Sequence, residues 1–354
     1  MPKETLSKRL FRTFAYLTFC STFLVILAGS IVRTTQSGMG CPDWPRCFGY
    51  YIPPTNPNQV VFNSGVYYKK GMMIIHSDTL WRAREPFKSI AQFDRSNWEK
   101  YPKHNYAKFD AYQTWIEYIN RLLGAILGIF VLGLLLTSFA YWNRKRILVF
   151  LSLGLLFLTG FQAWLGKLVV DGNLIPGSIT IHMLAALLLL ALNLAILFIM
   201  TSEARRSTQI IPKGIFLLVT VVLAFTLIQV ILGTQVREEI DGIAKAANFE
   251  NRSSWVEQLT GLFLIHRSFS WLLIGLNGLL IFKLVKSGSK RLKWFAGLTG
   301  TILIIEFCVG TILSLGGMPA VAQTFHLVFA SFLFSAQVSI LLELSLLKSR
   351  NVAA

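Results

Sequence analysis

Eight long apolar runs, at about 13–32, 112–140, 147–168, 179–200, 214–235, 259–282, 295–315 and 321–346, constrain this 354-residue chain more than any other feature. Each is long enough to cross a hydrocarbon core of roughly 30 Å. The spacing predicts eight transmembrane helices, an all-α integral membrane protein with both termini on the same side. Composition agrees: 54% of the residues are apolar and only 14% are charged, against about 25% charged in ordinary soluble proteins.

The net charge of +17 does not indicate nucleic acid once its distribution is read. Lys3, Lys8, Arg9 and Arg12 precede the first run, Arg144, Lys145 and Arg146 follow the second, and Arg205, Arg206 and Lys213 separate the fourth from the fifth. Lys283, Lys286, Lys290, Arg291 and Lys293 separate the sixth from the seventh, and Lys348 and Arg350 close the chain. Basic clusters in short loops of one parity face the cytoplasm. Both termini are therefore expected there, with anionic membrane lipids as partners of the charge. The first run exceeds a signal-peptide core and lacks a small-residue cleavage site, so it is expected to stay as a helix.

Cys20 and Cys308 fall within runs and read as small buried hydrophobes. Cys41 and Cys47 lie in GMGCPDWPRCFG, just beyond the first run on the side where oxidation persists. A disulfide closing this loop and a pair of free thiols are the two readings; zinc lacks a second ligand pair. Pro42 and Pro45 make a rigid turn, with Asp43 and Trp44 beside them.

An internal repeat organises the rest. Gly29 and Arg33 end the first run as G-x-x-x-R, and Gly233 and Arg237 end the fifth. Asn120-Arg121 opens the second run where His266-Arg267 opens the sixth. Gly166 precedes His182 by 16 residues and Gly310 precedes His326 by the same 16, with Gln162 and Glu306 each four residues earlier. Two parallel repeats of four spans follow, related by an axis along the membrane normal. The expected architecture is a pair of four-helix bundles, 1–203 and 204–354. The first carries a long outer loop, 34–110, whose aromatic residues favour a folded cap; its counterpart, 236–257, is short.

Polar residues within the spans gather near their outer ends: His182, His266, His326 and Asn120. Neutral imidazole is a natural axial ligand of haem iron, and His266 with His326 forms the complete pair. In the N-terminal half Asn120 is a poor iron ligand, leaving His182 alone; a site that turns over its occupant and a site that has lost binding both suit that asymmetry. Glu117 shares a helix face with Asn120, and a carboxylate in a span marks a functional site by default, with pairing to a nearby Arg as its bland alternative. Arg33, Arg121, Arg237 and Arg267 are placed for haem propionates or for headgroups. Lys167, Asp171 and Glu257 are weaker candidates, and His76 and His104 receive no role.

These residues resemble the haem A synthase family over essentially the whole chain. GSIVRTTQSGMGCPDWPRC is similar to its first-helix exit and cysteine loop, and IEYINR to its Glu-x-x-His-Arg element. The resemblance implies oxidation of the C8 methyl of haem O to the formyl of haem A, destined for haem-copper oxidases. It implies haem b ligated by His266 and His326, substrate haem O near His182, Glu117 as the catalytic carboxylate, and Cys41 with Cys47 as the loop pair. Expected partners are a haem O synthase and an electron-transfer protein, with self-association left open; the expected location is a bacterial cytoplasmic membrane. One departure stands out: Asn120 replaces the family's histidine. A non-catalytic haem-binding protein is the alternative function.

Overall fold

The structure, a computed structural model, describes residues 5–102, 108–171, 177–201 and 214–353. Lys3, His104, Arg205, Arg206 and Lys213 lie outside the described residues, as do the side chains of Asp171, Lys348 and Arg350.

The helices are α1 (Leu6–Thr34), α2 (Ala111–Ser138), α3 (Ile147–Asp171), α4 (Ser178–Thr201), α5 (Ile215–Ala246), α6 (Gly261–Lys286), α7 (Lys290–Leu315) and α8 (Ala320–Ala353). All eight are long and apolar enough to cross a membrane, making this a multi-pass membrane protein. Their outer faces keep Leu24, Ile129, Phe157, Leu217, Trp271 and Ile304 exposed, as helices solvated by lipid require. Cys20 and Cys308 are exposed on such faces, not buried as the sequence led us to expect. A thiol is apolar enough to face lipid as readily as a core.

The chain divides into two compact units, one of Met1–Leu27, Ile126–Gln162 and Ile179–Ala354, the other of Ala28–Ala125 and Ala163–Ser178. In the first, Phe11 and Ala15 of α1 share a buried cluster with Leu127 and Val131 of α2, Leu148 and Leu155 of α3, and Leu189 and Ile196 of α4. α5 packs on α6 and α8, and α7 packs on the same two helices. Buried Gln337 donates its amide to Asn277 Oδ1 at 3.1 Å, tying α8 to α6.

α5 runs past the apolar segment that announced it. The sequence placed an outer loop from 236, yet α5 stays helical to Ala246. The physical reason is an amphipathic continuation: Val236, Ile240 and Ala244 recur every four residues and pack on Trp255 and Met318. Arg237 pairs with Asp241 one turn on, at 2.9 Å. Glu239 then accepts the Thr260 N–H at 2.7 Å, fastening this extension to the start of α6.

The second unit contains the outer loop, which adds two small sheets to an otherwise helical protein. β2 (Met73–His76) pairs antiparallel with β3 (Thr79–Ala83), which pairs with β5 (Trp98–Lys100); β1 (Tyr67–Tyr68) pairs with β4 (Phe87–Lys88). Ser77 and Asp78 join β2 to β3 with φ of 48° and 52°, the left-handed pair whose twist suits a two-residue hairpin. Tyr68, Ile74, Ala83 and Trp98 form its core, flanked by Phe87 and Phe93. His76 stacks on Phe93 with centroids 4.2 Å apart, a packing role.

Candidate functional site

In the larger unit, glycines let two imidazoles lie directly on neighbouring helices. A Cβ at Gly233 of α5 would come within 3.0 Å of His266 Cε1, and one at Gly310 of α7 within 3.5 Å of His326 Cε1. Four residues before each glycine, hence on the same helix face, stands a polar side chain. Gln229 Nε2 donates to the main-chain carbonyl of His266 at 3.1 Å. Glu306 Oε2 instead approaches the ring of His326, 2.5 Å from Nδ1. The approach is close but not aligned as a regular hydrogen bond, for Nδ1 of His326 and Nδ1 of His266 are both buried without an aligned partner. About a third of the His326 side chain, 33%, remains accessible. The two histidines are near enough to interact electrostatically. On the other repeat, Gln162 Nε2 donates to the main-chain carbonyl of His182 at 3.0 Å.

In the smaller unit the cysteine loop is locked onto the first turns of α2. Cys41 and Cys47 are disulfide-bonded. Glu117, 3% exposed, accepts the Cys41 N–H on Oε2 at 2.8 Å, and its Oε1 pairs with Arg121. The Arg121 guanidinium also donates to the carbonyls of Asp43 at 2.7 Å, Arg46 at 3.1 Å and Cys41 at 3.3 Å. Thr114 donates its hydroxyl to the Gly40 carbonyl at 2.8 Å. Gly40 must be glycine here, since a Cβ would lie 2.6 Å from the Gln113 carbonyl. Tyr101 donates to the Pro42 carbonyl at 2.8 Å, binding the sheeted cap to the same loop.

Asp43 accepts the Gly49 N–H at 3.0 Å on one oxygen, while the other is buried with no partner. Burial pushes its carboxyl above the usual aspartate range, and the Gly49 N–H only partly offsets this. Asn120 Oδ1 is likewise buried and unpartnered, opposite Gly29, whose Cβ would stand 3.9 Å away. Arg33 lies in the last turn of α1, and exposed Arg267 rests over Phe263, 5.9 Å from the ring centre.

A family profile described as COX15-CtaA, cytochrome oxidase assembly protein, matches residues 12–72 and 68–338. The chain belongs to this family. Among its relatives is a protein named Heme A synthase from Shewanella oneidensis, 26% identical over 190 residues, covering 53% of this chain and 45% of that protein. Another Heme A synthase, from Flavobacterium johnsoniae, is 23% identical over 350 residues, covering 91% of this chain and 94% of that one. The chain thus spans less than half of the first relative and nearly all of the second.

Within this member of the COX15-CtaA family, the structure brings His266 and His326 together with Glu306, and Glu117 and Arg121 together with the cysteine pair. Arg237 is turned to Asp241. Among the described residues no three His, Cys, Asp or Glu side chains gather as a metal site. Sequence reasoning noted Gln162 and Glu306 only as repeat markers and passed over Gln229. The signal was present: all three stand four residues before a glycine, and Gly233 and Gly310 lie against the histidines of neighbouring helices.

Proposed function

We propose that the chain is a haem A synthase, oxidising the C8 methyl of haem O to a formyl group. The observation that carries this reading is the pair of imidazoles on α6 and α8, each seated at a glycine with Nδ1 buried. The donor set fits a haem, whose iron imidazoles can hold, whereas a structural zinc site takes four ligands. His266 and His326 would hold haem b, which when bound would supply one-electron redox chemistry. Gly233 and Gly310 give the two rings room, and Arg237 and Arg267 serve the propionate side.

The proposed architecture is two parallel four-helix bundles, 1–203 for the substrate and 204–354 for haem b. Haem O is assigned to the first, with His182 as its imidazole and Arg33 at its propionates. Glu117 is the proposed catalytic carboxylate. Its Arg121 partner has both N–H groups of each terminal nitrogen engaged by the carboxylate and three loop carbonyls, leaving only Nε–H of the five donors. Arg121 therefore holds Glu117 and the loop in place instead of chelating a propionate. Asn120 offers its unpartnered Oδ1 as an acceptor for a water beside the substrate.

We place the protein in a bacterial cytoplasmic membrane with both termini inside. A haem O synthase supplies the substrate, and a redox protein exchanges electrons with the site. The second reading, a haem-binding protein without synthase activity, draws on Asn120 standing where an iron-ligating imidazole is expected. Co-expression with a haem O source, followed by extraction and chromatography of haems, separates the two. Haem A in the native chain, absent in Glu117→Ala with the haem b spectrum intact, supports the synthase; haem b without haem A, given a competent redox partner, supports the alternative. Asn120→His tests whether the departure limits turnover.

A further inference from the structure

Gln162, Gln229 and Glu306 each stand four residues before a glycine, Gly166, Gly233 and Gly310, and Gln162 and Glu306 are equivalent positions of the repeat. Two of them do the same thing. Gln162 donates to the His182 carbonyl at 3.0 Å and Gln229 to the His266 carbonyl at 3.1 Å. Both bonds hold the backbone of a histidine-bearing helix and leave its ring alone.

Glu306 cannot do this. Its side chain lacks the amide N–H groups that the two glutamines use, and Oε2 lies instead 2.5 Å from Nδ1 of His326. The residue is 9% exposed, and its Oε1 has no partner. An acid placed in a span is costly compared with the amide at the equivalent position, Gln162, so this exchange calls for a role. His266 supplies the contrast, for its neighbour Gln229 bonds the backbone carbonyl and not the ring.

We infer that Glu306 is a positioning residue for His326: it accepts the Nδ1 hydrogen, fixes the ring with Nε2 directed away from α7, and strengthens that nitrogen as a donor to iron. The inference rests on His326 being an axial ligand of haem b. A carboxylate behind a ligating histidine fixes its tautomer and raises its basicity. A more basic ligand favours the ferric state over the ferrous. The haem is therefore held by unequal imidazoles, a carboxylate-backed His326 and a plain His266, and its midpoint potential lies lower than an equal pair would set.

The test is anaerobic spectroelectrochemical titration of the purified full chain with its bound haem b, comparing wild type with Glu306→Gln. The amide keeps the shape and restores the residue type of the repeat-equivalent Gln162. The expected result is retained low-spin haem with the ferric-to-ferrous balance shifted about tenfold toward ferrous, an upward potential change of about 59 mV for one electron. An altered electron paramagnetic resonance signature of the ferric haem should accompany it. Unchanged potential and unchanged signature, with haem retained, overturn the inference. If Glu306→Gln loses haem, Glu306→Asp becomes the comparison: haem binding at near wild-type potential supports the role, and haem loss there too overturns it. A low-spin bis-imidazole spectrum persisting in His326→Ala instead overturns the ligand assignment beneath it.

Discussion

Glu117 accepts the backbone N–H of Cys41 at 2.8 Å, so the carboxylate of α2 and the cysteine loop hold each other in place. Both Glu117 and its partner Arg121 are largely withdrawn from solvent, with side chains 4% and 14% exposed. Removing one member of a buried ion pair typically costs about 3–5 kcal/mol, since the other charge is stranded. Glu117→Ala should loosen the loop on that scale. Glu117→Gln, which keeps an acceptor for Cys41, should loosen it less. Hydrogen exchange of peptides covering residues 40–49 measures this, and equal protection in both variants would count against the anchoring role.

Gly233 and Gly310 should respond unequally to alanine. The added methyl would meet the His266 ring at 3.0 Å and the His326 ring at 3.5 Å. The first is an overpacked contact, of a kind that costs about 1–3 kcal/mol; the second is ordinary van der Waals contact. Gly233→Ala should lose more bound haem than Gly310→Ala. Haem-to-protein ratios of the purified variants decide it, and the reverse order would show that these glycines do not set the ring positions.

Asp43 makes the cysteine loop sensitive to pH. Its folded carboxyl sits above the ordinary value of 3.8 because of burial, so the folded loop holds its proton more tightly than the unfolded chain does. Stability from this group is greatest below 3.8 and falls as pH rises toward and through the raised folded value. Asp43→Asn, unable to ionise, should protect the Gly49 amide better than wild type at neutral pH and equally well in acid. Lower protection in the variant at neutral pH would reverse the sign argued here.

The Asn277–Gln337 pair should behave as a coupled unit. Both side chains are fully buried, and Gln337→Leu would leave Asn277 Oδ1 without its donor, at a cost of about 1–3 kcal/mol. Adding Asn277→Leu should recover part of the loss. Thermal unfolding in detergent reads the cycle; strictly additive losses would mean that the bond contributes little.

The spans were legible because hydrocarbon demands an apolar run that no soluble helix needs, and the repeat was legible because glycine, histidine and arginine recur at fixed spacing. The continuation of α5 was masked by charge, since Arg237, Glu238, Glu239 and Asp241 end the apolar run although Val236, Ile240 and Ala244 carry a helical stripe on through it. Strands β1 to β5 were hidden by their brevity. The engagement of Glu117 joins residues 76 positions apart, and nothing local announces it. Glu306 was visible as a repeat position, but only the three-dimensional contact separates an acid on a ring from an amide on a carbonyl.

The central claim is that this chain turns haem O into haem A, and the haem extracted after co-expression with a haem O source tests it most directly. The account predicts haem A from the native chain and none from Glu117→Ala, with the haem b spectrum retained in both. Haem O left unconverted by a native chain that holds haem b and has a competent redox partner would contradict it.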